Sequence, residues 1–211
     1  GTWWGLKFKY VYLDPWPTDT ILNSVFMRMT ASDAKPFWAC QFIRMNNLKG
    51  KMFNYWTEGG FIAWGQNPDP ETGKTPLQLF MDGRAQAAYE PEAYRVWSQI
   101  MFGGPIVQIT RERRQKFTST KYVEIGKWID KQLKKRDVWV VLMPAKEFNS
   151  HFLRGLERHP DWRLVFSNNK MKLFVDGSTP QAKELLERVV YPDDFTRYII
   201  ESRNLLLTGA D

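Results

Sequence analysis

The chain has 211 residues, 43% of them hydrophobic and 25% charged, with a net charge of +7. That length and composition are ordinary for a globular domain and suffice for a core that needs no metal or disulfide. The single cysteine, Cys40, excludes an intrachain disulfide, and no stretch of about 18 uninterrupted apolar residues predicts a membrane-spanning helix.

Leu6 to Leu13 alternates at first, with Leu6, Phe8, Tyr10 and Tyr12 on one face, and is predicted to be a strand with one wet side. Asp14-Pro15-Trp16-Pro17 ends it. Ile21 to Met29 is read as a strand or an irregular segment. Ser32 is a candidate N-cap, although Pro36 moves the helix start later. Phe37, Trp38, Gln41, Phe42 and Met45 form a helical stripe that closes at Asn46-Asn47-Leu48-Lys49-Gly50. Cys40 lies within that stretch and is expected to be a small core residue.

Lys51 to Tyr55 reads as a short strand followed by a polar turn and a helix start. Thr57 is the predicted N-cap, with Glu58 in the first turn where the helix dipole favours an anion. Gly59 and Gly60 are expected to let backbone approach backbone or a ligand. Asn67 to Lys74 is a turn-rich loop. Leu77 to Met81 is a second strand, with Asp82-Gly83-Arg84 at its carboxyl end.

Pro91 to Phe102 is predicted as a helix with Pro91 at its first position, and Gly103-Gly104-Pro105 as its stop. Residues 105–119 are expected to be a polar, basic and mobile loop. Lys121 to Arg136 is an amphipathic helix with Tyr122, Ile125, Ile129 and Leu133 on its apolar face. Val138 to Leu142 shows no alternation, as in a strand covered on both faces. Phe148, Phe152 and Leu156 mark a helix ending near Asp161-Trp162. Arg163 to Ser167 and Met171 to Val175 form a β-hairpin across Asn168-Asn169. Thr179 caps a helix from Pro180, Pro192 interrupts it, and Phe195 to Leu207 is a further helix.

The order βα, βα, α, βα, ββ predicts an α/β fold: a three-layer, Rossmann-like, mostly parallel sheet with an antiparallel hairpin at one edge and C-terminal helices. The expected organisation is one domain, with a lead-in over 1–30, a core over 31–176 and a helical extension over 177–211. In open sheets of this kind ligands meet the carboxyl ends of strands. Asn54, Trp56, Glu58, Asp82 and Arg84 are therefore the candidate binding residues. Glu58 and Asp82 are either a carboxylate pair for acid/base or divalent-ion chemistry, or a helix cap and a turn residue paired with Arg84.

His151 and His159 lie eight apart, on a helix predicted to end between them, and no His or Cys has ligand spacing. No metal site or cofactor is predicted, and there is no phosphate loop or nucleophile elbow. The ten tryptophans either fill the core or line a sugar-binding or membrane-interface surface. The basic runs at Arg111 to Lys116 and Lys131 to Arg136 are either solvated surface or a contact for phosphate-rich partners such as anionic lipid. No nucleic-acid motif accompanies them.

Three segments together resemble a family. They are Asn47-Leu48-Lys49-Gly50-Lys51-Met52-Phe53-Asn54, Glu58-Gly59-Gly60-Phe61-Ile62-Ala63-Trp64 and Phe80-Met81-Asp82-Gly83-Arg84-Ala85, followed by Val138 to Leu142, Phe148 to Leu156 and Trp162-Arg163-Leu164-Val165-Phe166. This order, over roughly residues 30–175, is similar to a pattern in polytopic bacterial membrane proteins of the GT-C glycosyltransferase type, which use polyprenyl-phosphate sugars. Thr57-Glu58 stand where that pattern has an aromatic residue.

The resemblance implies a soluble, extracytoplasmic (periplasmic) carboxyl-terminal domain tethered by upstream membrane helices, with Trp3-Trp4 near the last of them. It implies that the catalytic acid lies in a membrane loop outside this chain and that the chain alone is inactive. Its partners would be the rest of the parent protein, the nearby membrane surface, and a lipid-linked sugar or glycan acceptor. The chain opens on Gly1 and not on a signal peptide, which carries the expectation of an excised piece. The alternatives are a free-standing α/β enzyme acting on a sugar or phosphorylated substrate, or a basic module for anionic lipid or nucleic acid.

Overall fold

A computed structural model describes residues 2–14, 16–17, 22–30, 35–83, 90–146, 150–168 and 170–191. Five strands form one mixed sheet in the order β2-β1-β3-β5-β4. They are β1 (Gly50–Asn54), β2 (Leu77–Leu79), β3 (Val138–Pro144), β4 (Trp162–Ser167) and β5 (Met171–Asp176). β1 runs parallel to both β2 and β3, while β5 runs antiparallel to both β3 and β4. Only β5 therefore opposes the common direction, and the hairpin forms the antiparallel edge that the sequence predicts.

β3 is buried along its whole length, as its unbroken apolar run requires. The two faces of the sheet carry separate hydrophobic clusters. On one, Phe53, Val141 and Phe174 meet α5 (Pro91–Met101), α6 (Gly104–Glu112), α7 (Ser119–Lys134) and α8 (Ser150–Glu157). On the other, Met52, Val140, Leu142 and Leu173 meet α3 (Phe37–Met45), α4 (Gly59–Gly65) and α9 (Pro180–Arg188). Helices thus cover both faces of the sheet.

Two local devices hold this packing. Trp139 is the extra residue of a β-bulge against Lys51 and Met52. Its indole Nε1 donates to the Lys49 carbonyl at 2.8 Å, and a Cβ on Gly50, whose φ is +115°, would lie 2.7 Å from that nitrogen. α7 and α8 meet backbone to backbone. A Cβ on Gly126 would fall 2.2 Å from the Gly155 carbonyl oxygen.

Several expectations are corrected. Residues 2–13 are helical, as α1 (Thr2–Phe8) and a π-helical turn (Lys9–Leu13), not a strand. Leu6, Phe8 and Tyr12 are all more than half exposed. The alternation there corresponds to no covered sheet face, and a lone strand would leave its backbone groups unpaired. The segment read as strand or irregular contains α2 (Val25–Thr30), with Ser24 Oγ accepting from the Met27 amide as a helix cap does.

The loop expected over 105–119 contains α6. Gly103, in the left-handed region, ends α5, and Pro105 then lies in the first turn of the next helix, so one tripeptide performs both tasks. The second strand stops at Leu79, although the Phe80 amide still donates to Met52 O. Ser32, Phe148, Pro192 and the helix expected over 195–207 lie outside the described residues.

Two helix starts and the cysteine are as expected. Thr179 accepts from the Ala182 amide as an N-cap and Pro91 opens α5; Thr118, placed in the expected loop, also caps a helix by accepting from the Lys121 amide. Cys40 is fully buried against the position of Gly65.

Candidate functional site

The chain passes from β1 to β2 on one side and then to β3 on the other, so the carboxyl ends of β1 and β3 flank the reversal of strand order. A crevice opens at such a point in α/β sheets. The candidate residues of β1 lead into it, yet most of their polar atoms serve the fold.

Asn54 is fully buried. Its Nδ2 donates to Met81 O at 2.7 Å, and its Oδ1 accepts from the Phe80 amide at 3.1 Å. The side chain thereby continues the pairing of β1 with the chain beyond β2. The Asn54 carbonyl accepts from Trp97 Nε1 at 2.9 Å. Trp56 is half-buried against the cluster around Trp97.

Thr57 is not the cap of α4. It lies inside a short 3-10 turn (Trp56–Glu58), and Glu58 occupies the N-cap position with no side-chain bond to the helix. The Glu58 carboxylate instead receives Lys35 Nζ at 3.0 Å. Burial, and then the Glu58 charge, raise the Tyr55 hydroxyl above its ordinary pKa.

Gly59 is where the two halves of the candidate site touch. A Cβ there would lie 2.6 Å from Asp82 Cα and 2.8 Å from Met81 O, so glycine permits the β2 carboxyl end to cross the start of α4. Gly60 faces open space and has no such role. The structure thus brings Asp82 beside the Glu58-Gly59 turn, gives Glu58 a cationic partner, and leaves Arg84 outside the described residues.

Two polar clusters escape sequence reasoning because each joins distant segments. At the amino end of β3, Lys134 Nζ lies 3.0 Å from Asp130 and 2.9 Å from Asp161, and 3.7 Å from the buried Asp176. Trp162 Nε1 donates to Asp130 at 2.9 Å, and His159 Nε2 stands 3.7 Å from the same carboxylate. Burial disfavours the Lys134 ammonium, but hydrogen bonds to Asp161 and Asp130 and the nearby charges outweigh it and raise its pKa.

Ligand atoms of Asp130, His159 and Asp161 come within 4.8 Å of one another, the spacing of a candidate cation site. Lys134 already supplies the positive charge between the two aspartates. Half of the second basic run is therefore engaged by partners within the chain: besides Lys134, Arg136 donates to the Gln132 carbonyl at 2.7 Å.

The other cluster lies on the carboxyl-end side. α8 starts within six residues of the end of β3, and α7, which leads into β3 through a short turn, has its first turn on the same side. Tyr122 Oη stands 3.2 Å from His151 Nδ1 and 3.3 Å from Arg154 Nη1. Phe117 covers the His151 ring at 4.1 Å between centroids. Burial, then the charges of Arg111 and Arg154, lower the His151 pKa.

Arg111 also lines a cleft of about 480 Å³ between α5, α6 and α7, with Phe102 and Trp128 among its walls. No family model matches the chain, and comparison with curated proteins and with solved structures gave no match.

Proposed function

We propose that this chain is an accessory, extracytoplasmic domain of a membrane glycosyltransferase-like protein, non-catalytic by itself and placed against the membrane surface. The observation that carries this reading is the N-terminal helical segment. Trp3, Trp4, Leu6, Phe8, Tyr12 and Leu13 are all more than half exposed, and Val25, Phe26 and Met29 of the adjoining α2 are exposed with them. So many large apolar side chains exposed on neighbouring elements suit an interaction site. Its Trp and Tyr content, flanked by Lys7 and Lys9, suits the bilayer interface.

No helix among the described residues is long and apolar enough to cross a membrane, so this segment would lie at the surface or continue a span outside the chain. In this reading the sheet is Rossmann-like in its arrangement, and its strand-end crevice faces a lipid-linked sugar or glycan acceptor. The roles of Asn54 and Glu58 in the fold favour a supporting part over an acid/base pair.

Two measurements test the proposal. The chain should co-sediment with vesicles of phosphatidylethanolamine and phosphatidylglycerol, and replacing Trp3, Trp4 and Leu6 by Ser should release it. Wild-type protein that stays in the supernatant would overturn the membrane placement. Turnover of a polyprenyl-phosphate sugar by this chain alone would overturn the accessory role.

A further inference from the structure

The cluster around His151 is built almost wholly of donors. An arginine can only donate, so Tyr122 Oη accepts from Arg154, and it also shares a hydrogen bond with His151 Nδ1. The Tyr122 bond occupies Nδ1 and leaves Nε2 for a ligand, to which it donates when the ring is protonated. Phe117 and Tyr122 both pack on the ring, with centroids 4.1 and 5.9 Å away and the Tyr122 and His151 planes 24° apart.

Two guanidinium groups bear on this ring, Arg111 from α6 and Arg154 from α8. Arg154 donates to Tyr122 and lies 5.6 Å from that ring's centroid. Neither arginine has a carboxylate partner among the described residues. The nearest acid in sequence, Glu112, accepts from Gln108 Nε2 at 2.8 Å.

The cleft that Arg111 lines adjoins this cluster through one turn. Gly104 borders the cleft, and a Cβ on Gly103 would lie 3.6 Å from His151 Cβ. The cleft has the volume of a small-molecule site.

We propose that Arg111, Arg154 and His151, braced by Tyr122, bind a phosphate monoester whose aromatic or apolar body occupies the cleft beside Phe102 and Trp128. Phosphate suits the group better than carboxylate does. Two guanidinium forks and an imidazole N–H offer more donors than two oxygens can accept, and a dianion matches two unpaired positive charges. The site lies on the carboxyl-end side of the sheet, where ligands of open α/β folds bind. It requires neither a membrane nor a parent protein, so its failure and that of the membrane reading are separate results.

The chain's two histidines make the test direct. Their ring proton signals are followed by NMR across pH, with His151→Gln to assign them and His159, at the opposite end of α7, as the internal control. Inorganic phosphate, phenyl phosphate and benzoate are the probes. A bound dianion offsets the guanidinium charges and favours the imidazolium, so phenyl phosphate should raise the His151 pKa and leave His159 unchanged.

Phenyl phosphate should bind more tightly than inorganic phosphate, since only it fills the cleft. Arg111→Gln and Arg154→Gln, both at exposed positions, should each weaken it by about tenfold or more. An unmoved His151 signal, equal shifts at both histidines, or full affinity in both arginine variants would overturn the site. Benzoate binding as tightly as phenyl phosphate would overturn the assignment to phosphate.

Discussion

Gly126→Ala is the sharpest test of how α7 and α8 are held together. The added methyl would sit 2.2 Å from the Gly155 carbonyl oxygen and 3.0 Å from its carbonyl carbon. Both are backbone atoms, so no side-chain rotation relieves the contact. The helices must separate by about 1 Å to reach an ordinary van der Waals distance. That shift would loosen Ile125, Ile129, Phe152 and Leu156, all fully buried in the same cluster.

Overpacking of this kind costs ~1–3 kcal/mol or more, and alanine returns ~1 kcal/mol in helix propensity. With backbone as the obstacle the upper range applies, for a net loss of about 2 kcal/mol. In a chain of this length that lowers Tm by roughly 4–8 °C. Denaturant unfolding gives the stability change through the midpoint at constant slope. Gly60→Ala, which faces open space in α4, is the control and should be neutral or gain up to ~1 kcal/mol. A Gly126→Ala variant as stable as wild type, or equal losses in both variants, would refute the reasoning.

Asn54→Ala should cost about 2 kcal/mol, because it strands the buried Met81 carbonyl at ~1–3 kcal/mol while the Phe80 amide keeps its bond to Met52 O; unfolding by urea measures it. Thr118→Ala and Thr179→Ala should each lose about 1 kcal/mol as caps, while Thr57→Ala should change stability little because Thr57 caps nothing. The Lys134 network predicts a pH profile. The hydrogen bond from Lys134 holds the Asp161 carboxyl below its ordinary range, so its contribution is present above about pH 4 and is lost as pH falls through the depressed value. The raised Lys134 pKa contributes below about pH 10 and is lost as pH rises through the folded value. Lys134→Met should lower Tm at neutral pH and flatten the acid decline, because protonating Asp161 then breaks no hydrogen bond to Lys134. Parallel acid profiles in wild type and variant would show that the network does not couple these charges.

The location of the candidate site was legible at the strand ends, but the roles of its residues were not. Asn54 and Glu58 are flagged by position, yet their partners, Met81 and Lys35, are 27 and 23 residues away. The Gly59-Gly60 pair looks uniform in sequence, whereas only Gly59 meets the backbone beyond β2. His151, Tyr122 and Arg154 carry no motif, because two separate helices must pack before the groups converge.

What the sequence determined by itself is what local physics governs. The buried run of β3, the hairpin of β4 and β5, the threonine cap of α9, and Pro91 at the start of α5 follow from patterning and backbone chemistry within a few residues. Tertiary structure alone decided the N-terminal segment, where an alternating pattern became a helix because no sheet edge takes it up. It also decided the fate of the charges, bringing Lys134 to three aspartates and leaving Arg111 and Arg154 near a histidine. Charge pairing and burial depend on which distant segments meet, and that is set by the packing of helices on the two faces of the sheet.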